Sequence, residues 1–272
     1  MYMAMLAKPA EKTEMAGAQT LRRGLSVLRL LTRIGPGGLR MGDIGRRLDL
    51  NKATAVRLTR TLVDEGFVLH DHGSGRYRLG PEAFAVGLAA EPSYELQRLA
   101  APTLRALALE SGDTVFFSVL HGYESICLSR DEGDFPIRNQ LLKAGDRLPL
   151  GVGAGSCAVL AAFLDKGIED VLKRNAALRA ERFPRCTDAA VKRLIQGTRD
   201  RGYCVQPGLV IEDSWAIGVV VHDAGGSPVA SISIAAIKSR MGAARSATLG
   251  NRLMQASQAL TLLQADNSAQ VG

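Results

Sequence analysis

Leucines at 21, 25, 28 and 31 recur at the three-to-four-residue spacing of one helix face. This predicts a helix over residues 20–34, ended by Gly35-Pro36-Gly37-Gly38. Ile44 and Leu48 share one face of a short segment, 41–48, and Asp49-Leu50-Asn51 is a tight connection. Asn51 is a good N-cap, because its side chain accepts from the free amides of the next turn. A second helix follows, running to Glu65 and stopping at Gly66, with Ala55, Leu58 and Leu62 as its buried stripe. Two β-like runs, 67–69 and 76–79, flank a turn at 70–75. The whole reads as a winged helix-turn-helix, with the helix at 20–34 packed behind the pair.

Gly80-Pro81 opens a short apolar helix at 82–90 carrying Phe84, Val86 and Leu88. Glu91-Pro92-Ser93 breaks it, and a longer helix at 95–111 closes at Gly112. From Asp113 the texture changes. Strands are expected at 114–120, 125–129 and 137–142, then a flexible loop at 148–155 leading to a helix at 156–164. A helix at 188–201, strands at 202–205, 216–222 and 229–236, and a final helix at 243–263 complete the chain. Asp223-Ala224-Gly225-Gly226 is a hairpin signal. Strands flanked by helices in this order predict an α+β domain with a mostly antiparallel sheet. The expected division is a flexible tail at 1–18, the winged helix at 19–80 and a linker helix at 81–94. The α+β domain then covers 95–265, with a tail at 266–272.

Charge sharpens this picture. Of 34 basic and 27 acidic residues, residues 1–80 hold 14 and 7, which leaves 20 and 20 for the rest. The whole formal charge of +7 lies in the helix-turn-helix part. That is the electrostatic footprint of a phosphate-binding module, and it favours double-stranded DNA as partner. On the second helix Ala53, Arg57 and Arg60 point away from the buried stripe, with Lys52 at the helix start and Thr54 at the edge of that face. A small, hydroxylic, cationic face suits a major groove, where arginine bonds guanine or bridges phosphates. Arg76 and Arg78 on the wing are placed to meet the backbone. The plainer alternative is a solvated helix face on a module that mediates protein contacts beside a ligand-binding or enzymatic α+β domain.

No apolar run approaches the roughly 20 residues of a membrane span. Cys127, Cys157, Cys186 and Cys204 are scattered without ligand spacing, so neither a disulfide framework nor a zinc site is expected, and the default compartment is the cytoplasm. No metal or other cofactor is implied. The four histidines form no nucleophile motif, and no phosphate loop or dinucleotide fingerprint is present. An enzyme is not expected. Gly153, Ala154, Gly155 and Ser156 supply unhindered amides at a helix start, an anion site to which a carboxylate fits. An ordinary flexible loop explains the same glycines equally well. Cys157 at a helix N-terminus is either a redox sensor or a buried, inert thiol, the latter favoured.

The run GFVLHDHGSGRYRLGP at 66–81 resembles the IclR family of bacterial transcription regulators, as do DIGRRLDLNKATAVRLTRTL at 43–62, RLPLGVGAG at 147–155 and DRGYCV at 200–205. The resemblance covers about residues 19–265. It implies a GAF/profilin-like effector-binding domain joined to the winged helix by the linker helix. It also implies a homodimer or dimer of dimers, a small-molecule effector, and RNA polymerase as a further partner. It puts Ser214, Trp215 and Ser233 near the effector cleft, where the Trp215 ring can cover an organic ligand or else fill the core. The pocket positions depart from the family. Gly151-Val152-Gly153-Ala154 stands where many members have His-Ala-Thr-Ala. Ser214 to Gly218 stands where Cys-x-Ala-Ala-Pro is common, and Ala235-Ala236 where Ser-Gly is frequent. A small organic acid, its ring or chain near Trp215, is the expected effector.

Overall fold

The structure, a computed structural model, describes residues 18–90, 95–137 and 142–271, with side chains to 265. The chain separates into two compact units between Glu95 and Leu96.

The first unit opens with α1 (Ala18–Ile34), followed by β1 (Leu39–Arg40), α2 (Met41–Arg47) and α3 (Lys52–Asp64). The wing, β2 (Val68–Asp71) and β3 (Arg76–Leu79), precedes α4 (Pro81–Ala90). The three strands pair antiparallel in the order β1-β3-β2. Val27 and Leu31 of α1 close a core over Leu39, Ile44 and Val68. The leucine stripe expected on α1 is only partly buried. Gly24, Val27 and Leu31 face inward, while Leu21 is 65% and Leu25 40% exposed. The reason is packing. Leu21 and Leu25 border an open groove of about 600 Å³ between α1 and α3 instead of the core.

The wing turn is held by Asp71, whose carboxylate accepts from the Gly73 amide (3.0 Å) and the Ser74 hydroxyl (2.6 Å). These bonds, the Ser74 hydroxyl's first, hold the Asp71 carboxyl below its usual range. The wing leaves α3 through two glycines. Gly66 has φ +75°, and a Cβ on Gly80 would lie 2.2 Å from the Gly66 carbonyl oxygen. Only glycine lets these backbones pass so closely.

The second unit is built on α5 (Glu95–Ser111), β4 (Thr114–His121), β5 (Glu124–Asp131), β6 (Arg147–Pro149), α6 (Ala154–Ala161), α7 (Asp165–Arg182) and α8 (Asp188–Arg201). It is completed by β7 (Cys204–Pro207), β8 (Ser214–His222), β9 (Pro228–Ile237) and α9 (Ala243–Val271). Its six strands form an antiparallel sheet in the order β6-β5-β4-β9-β8-β7. The two faces differ because strand residues alternate. Phe117, Ile217, Val219, Ile232 and Ile234 turn to one face and pack with Leu104, Leu107, Leu253 and Leu260 of α5 and α9. Ser118, Ala216, Gly218, Ser233 and Ala235 take the other positions of the alternation and present a small, hydroxylic face.

Three expectations need correction. The segment 148–155 is not a flexible surface loop. It contains the end of β6 and a buried turn, with Leu150 and Val152 fully buried against α7 and α8, and α6 starts at Ala154 rather than Ser156. Helix α7 has no counterpart in the sequence reading. Its inward positions are Ile168, Val171, Leu172, Asn175 and Arg179, and the two polar members interrupt the apolar period. Both find partners inside, although the Arg179 Nε has none among the described residues. The Asn175 amide donates to the Tyr123 carbonyl (2.9 Å), and Arg179 donates to the carbonyls of Leu172 and Cys186 (2.9 Å each) and pairs with Asp188. Strand β7 runs to Pro207, two residues beyond the expected end. The break at Glu91-Pro92-Ser93 and most of the strand expected at 137–142 lie outside the described residues.

Candidate functional site

Two surfaces carry chemistry, one in each unit. In the first, the Asn51 side chain caps α3 by accepting from the Thr54 amide at 2.8 Å. Ala55, Leu58 and Thr59 face the core, so Lys52, Ala53, Arg57 and Arg60 are exposed and Thr54 is half-buried at the edge. Arg57 also borders the groove against α1. On the wing Arg78 is exposed. Arg76 is differently employed. Its guanidinium donates to the carbonyls of Gly37 (3.3 Å) and Gly38 (3.0 Å), so it braces β3 against the start of β1.

In the second unit, the N-terminus of α6 points over the small-residue face of the sheet. Gly153 (φ +85°) precedes the helix without a side-chain cap. The first helical bond runs from Cys157 N–H to Gly153 C=O (3.0 Å), so the amides of Ala154, Gly155 and Ser156 have no carbonyl one turn back. They border a small, partly open pocket of about 30 Å³. Phe116, Ala216 and Ala235 supply apolar floor, and Leu142, Leu148 and Val210 close the sides. Ser118, Ser125, Ser214 and Ser233 contribute hydroxyls, and among the described residues none in the lining carries a charge. The Ser156 hydroxyl is committed, donating to the Val152 carbonyl.

Close approach of α6 to the sheet is what creates this site. A Cβ on Gly218 would lie 2.6 Å from the Ala154 carbonyl carbon and the Gly155 nitrogen, and a Cβ on Gly155 would lie 2.7 Å from the Ser231 hydroxyl.

Six of the seven expected effector residues, Gly153, Ala154, Gly155, Ser156, Ser214 and Ser233, line the cavity together. Trp215 does not. It lies between Ser214 and Ala216 on β8, so strand alternation turns it to the other face, where it packs against the α5/α9 core. The same rule was available in the sequence, since neighbouring residues of one strand cannot both face one cavity. The sequence reading missed Gln206. This residue of β7 is 2% exposed, lines the cavity, and has a side-chain nitrogen without a hydrogen-bond partner among the described residues. Cys157 of α6 and Cys204 of β7 are buried in one cluster. Their mutual hydrogen bond and burial push the Cys157 thiol up, against the lowered value that a redox sensor would need. Cys127 is pushed up to about 12, chiefly by burial.

The model of the bacterial transcriptional regulator IclR C-terminal domain matches residues 89–262, and that of the IclR helix-turn-helix domain matches residues 20–72. The chain belongs to the IclR family. It is therefore a DNA-binding transcriptional regulator, and the cationic α3 face belongs to its DNA-binding domain. The HTH-type transcriptional repressor AllR of Salmonella paratyphi A is 31% identical over 235 residues, 85% of each chain. An IclR transcriptional regulator from Alicyclobacillus acidocaldarius has the same fold, with TM-score 0.73 at 23% identity over 90% of this chain and 98% of that one. An IclR homologue from Microbacterium hydrocarbonoxydans, solved in complex with 4-hydroxybenzoate, also matches at TM-score 0.73, with 21% identity over 91% of this chain and 99% of that one. Among the described residues no helix is long and apolar enough to cross a membrane.

Proposed function

We propose that this IclR-family regulator senses a small organic acid in the α6 cavity and that the acid changes operator affinity. The observation that carries this reading is the chemistry of the cavity: a helix start without a side-chain cap, over a small pocket lined, among the described residues, by no charged side chain. Aligned amides at a helix N-terminus favour an anion, and the dipole adds to their pull. The aliphatic walls suit the remainder of a small organic molecule. The 4-hydroxybenzoate bound by the Microbacterium homologue is an acid of this kind.

Size supplies the coupling. A pocket of about 30 Å³ is small beside a ligand of several heavy atoms. An acid of several heavy atoms therefore requires an opened arrangement around α6. A ligand that binds the opened state alone shifts the protein toward it, by no more than its differential affinity for the two states. Full-length protein should show a thermal midpoint that rises with acid concentration. Fluorescence anisotropy on operator DNA should show a matching change in affinity. Stabilisation confined to cations or nucleotides would sink the acid assignment.

The regulator works as a homodimer or dimer of dimers in the cytoplasm. Support comes from α4, which has no buried residue and exposes Phe84 (70%), Val86 (52%) and Leu88 (51%). An apolar helix of this kind gains by burying against its copy, and two-fold symmetry then calls for a near-palindromic operator. Light scattering at micromolar concentration should give a dimer or larger, and Phe84→Asp should weaken it. A monomer with full operator affinity would refute this assembly.

A further inference from the structure

Gln206 is the buried polar group of the cavity that the fold leaves unsatisfied. Its neighbours across the sheet are Ala216 and then Ala235, which offer no acceptor side chain. Burying an amide donor without an acceptor is unfavourable, and a ligand oxygen would relieve that cost. A carboxylate oxygen does so best, because hydrogen bonds to an ionised acceptor are about twice as strong as neutral ones.

We propose that Gln206 selects the effector and that it restricts the cavity to monocarboxylates; this rests on the effector reading above. Besides the serine hydroxyls, the site offers the Gln206 Nε2 on the β7 side and the amides of Ala154 to Ser156 at the head of α6 as donors. Among the described residues it offers no cation. One carboxylate satisfies the donors and is stabilised by the helix dipole. A second carboxylate on the same ligand would be buried among Phe116, Leu142 and Leu148, where the described residues offer at most neutral serine hydroxyls and no cation for its charge. The geometry thus separates acids by charge as well as by size.

Calorimetry on the full-length protein tests this with two matched pairs of probes: lactate against malonate, and 4-hydroxybenzoate against terephthalate. In at least one pair the monoacid should bind tenfold or more tightly than the diacid. Gln206→Leu should weaken the monoacid roughly 10- to 100-fold, the loss of one hydrogen bond to a charged group. Gln206→Glu, which brings a negative charge to the same place, should weaken it at least as much. The ligand-free Gln206→Leu protein should melt higher than wild type, since the buried donor without an acceptor is gone. That rise separates lost recognition from lost folding. Diacids binding as well as monoacids, or either variant retaining wild-type affinity, would overturn the selector role and leave the acid effector standing. Wild-type protein that bound none of the four probes would overturn the acid-effector reading itself.

Discussion

Replacing Arg60 with alanine should cost about 1–3 kcal/mol of operator binding and relax the preference for one base. Arg60 is exposed on α3 away from Ala55, Leu58 and Thr59, which hold the helix to its core. Ala53, seven residues or about two turns earlier on the same exposed side, has a methyl small enough to let the helix approach the groove floor. Arg57 shares the face but also borders the α1 groove, which leaves Arg60 the better placed for base edges. Arg78 on the wing serves as a contrast. Arg78→Ala should weaken operator and non-specific DNA alike and reduce the slope of log affinity against log salt by about 1, the signature of one lost phosphate contact. Anisotropy titrations on operator and scrambled DNA at several salt concentrations distinguish the two. An Arg60→Ala protein with wild-type discrimination would show that the recognition face is misassigned.

Gly218→Ala should destabilise the second unit by about 1–3 kcal/mol or more and abolish the response to acid. The added methyl would meet backbone atoms of Ala154 and Gly155 at 2.6 Å, and backbone cannot swing aside as a flexible side-chain end does. Either α6 lifts from the sheet or β8 shifts. Both move the amides that border the cavity. For a unit of this size such a loss lowers the melting temperature by roughly 2–4 °C for each kcal/mol. Operator binding without acid should persist, because α3 and the wing lie in the other unit. Calorimetric melting and an acid titration on the variant measure both effects. Unchanged melting together with an unchanged acid response would mean that the close packing of α6 on Gly218 does not shape the site.

The helix-turn-helix was legible because its determinants are local. Asn51 caps α3 through its own third neighbour, Ala55 and Leu58 repeat at helical spacing, and Gly66 takes the left-handed φ that ends the helix. Charge was legible for the same reason, since a count along the chain needs no coordinates. That a helix starts near Gly153 could be read from its glycines, as could the antiparallel α+β order from alternating strands.

What only the tertiary structure decided concerns direction and company. Which side of β8 faces the cavity depends on the sheet's two coverings, so Trp215 went to the α5/α9 core and Ser214 to the cavity. Arg76 became a brace because the Gly37 and Gly38 carbonyls, distant in sequence, lie within its reach. Helix α7 carries Asn175 and Arg179 inward because carbonyls at Tyr123, Leu172 and Cys186 await them, a compensation that residue-by-residue hydrophobicity cannot register. Gln206 became a candidate only when the fold buried it beside α6 with no acceptor. A polar residue's meaning depends on its partners, and partners far along the chain are assembled by packing alone.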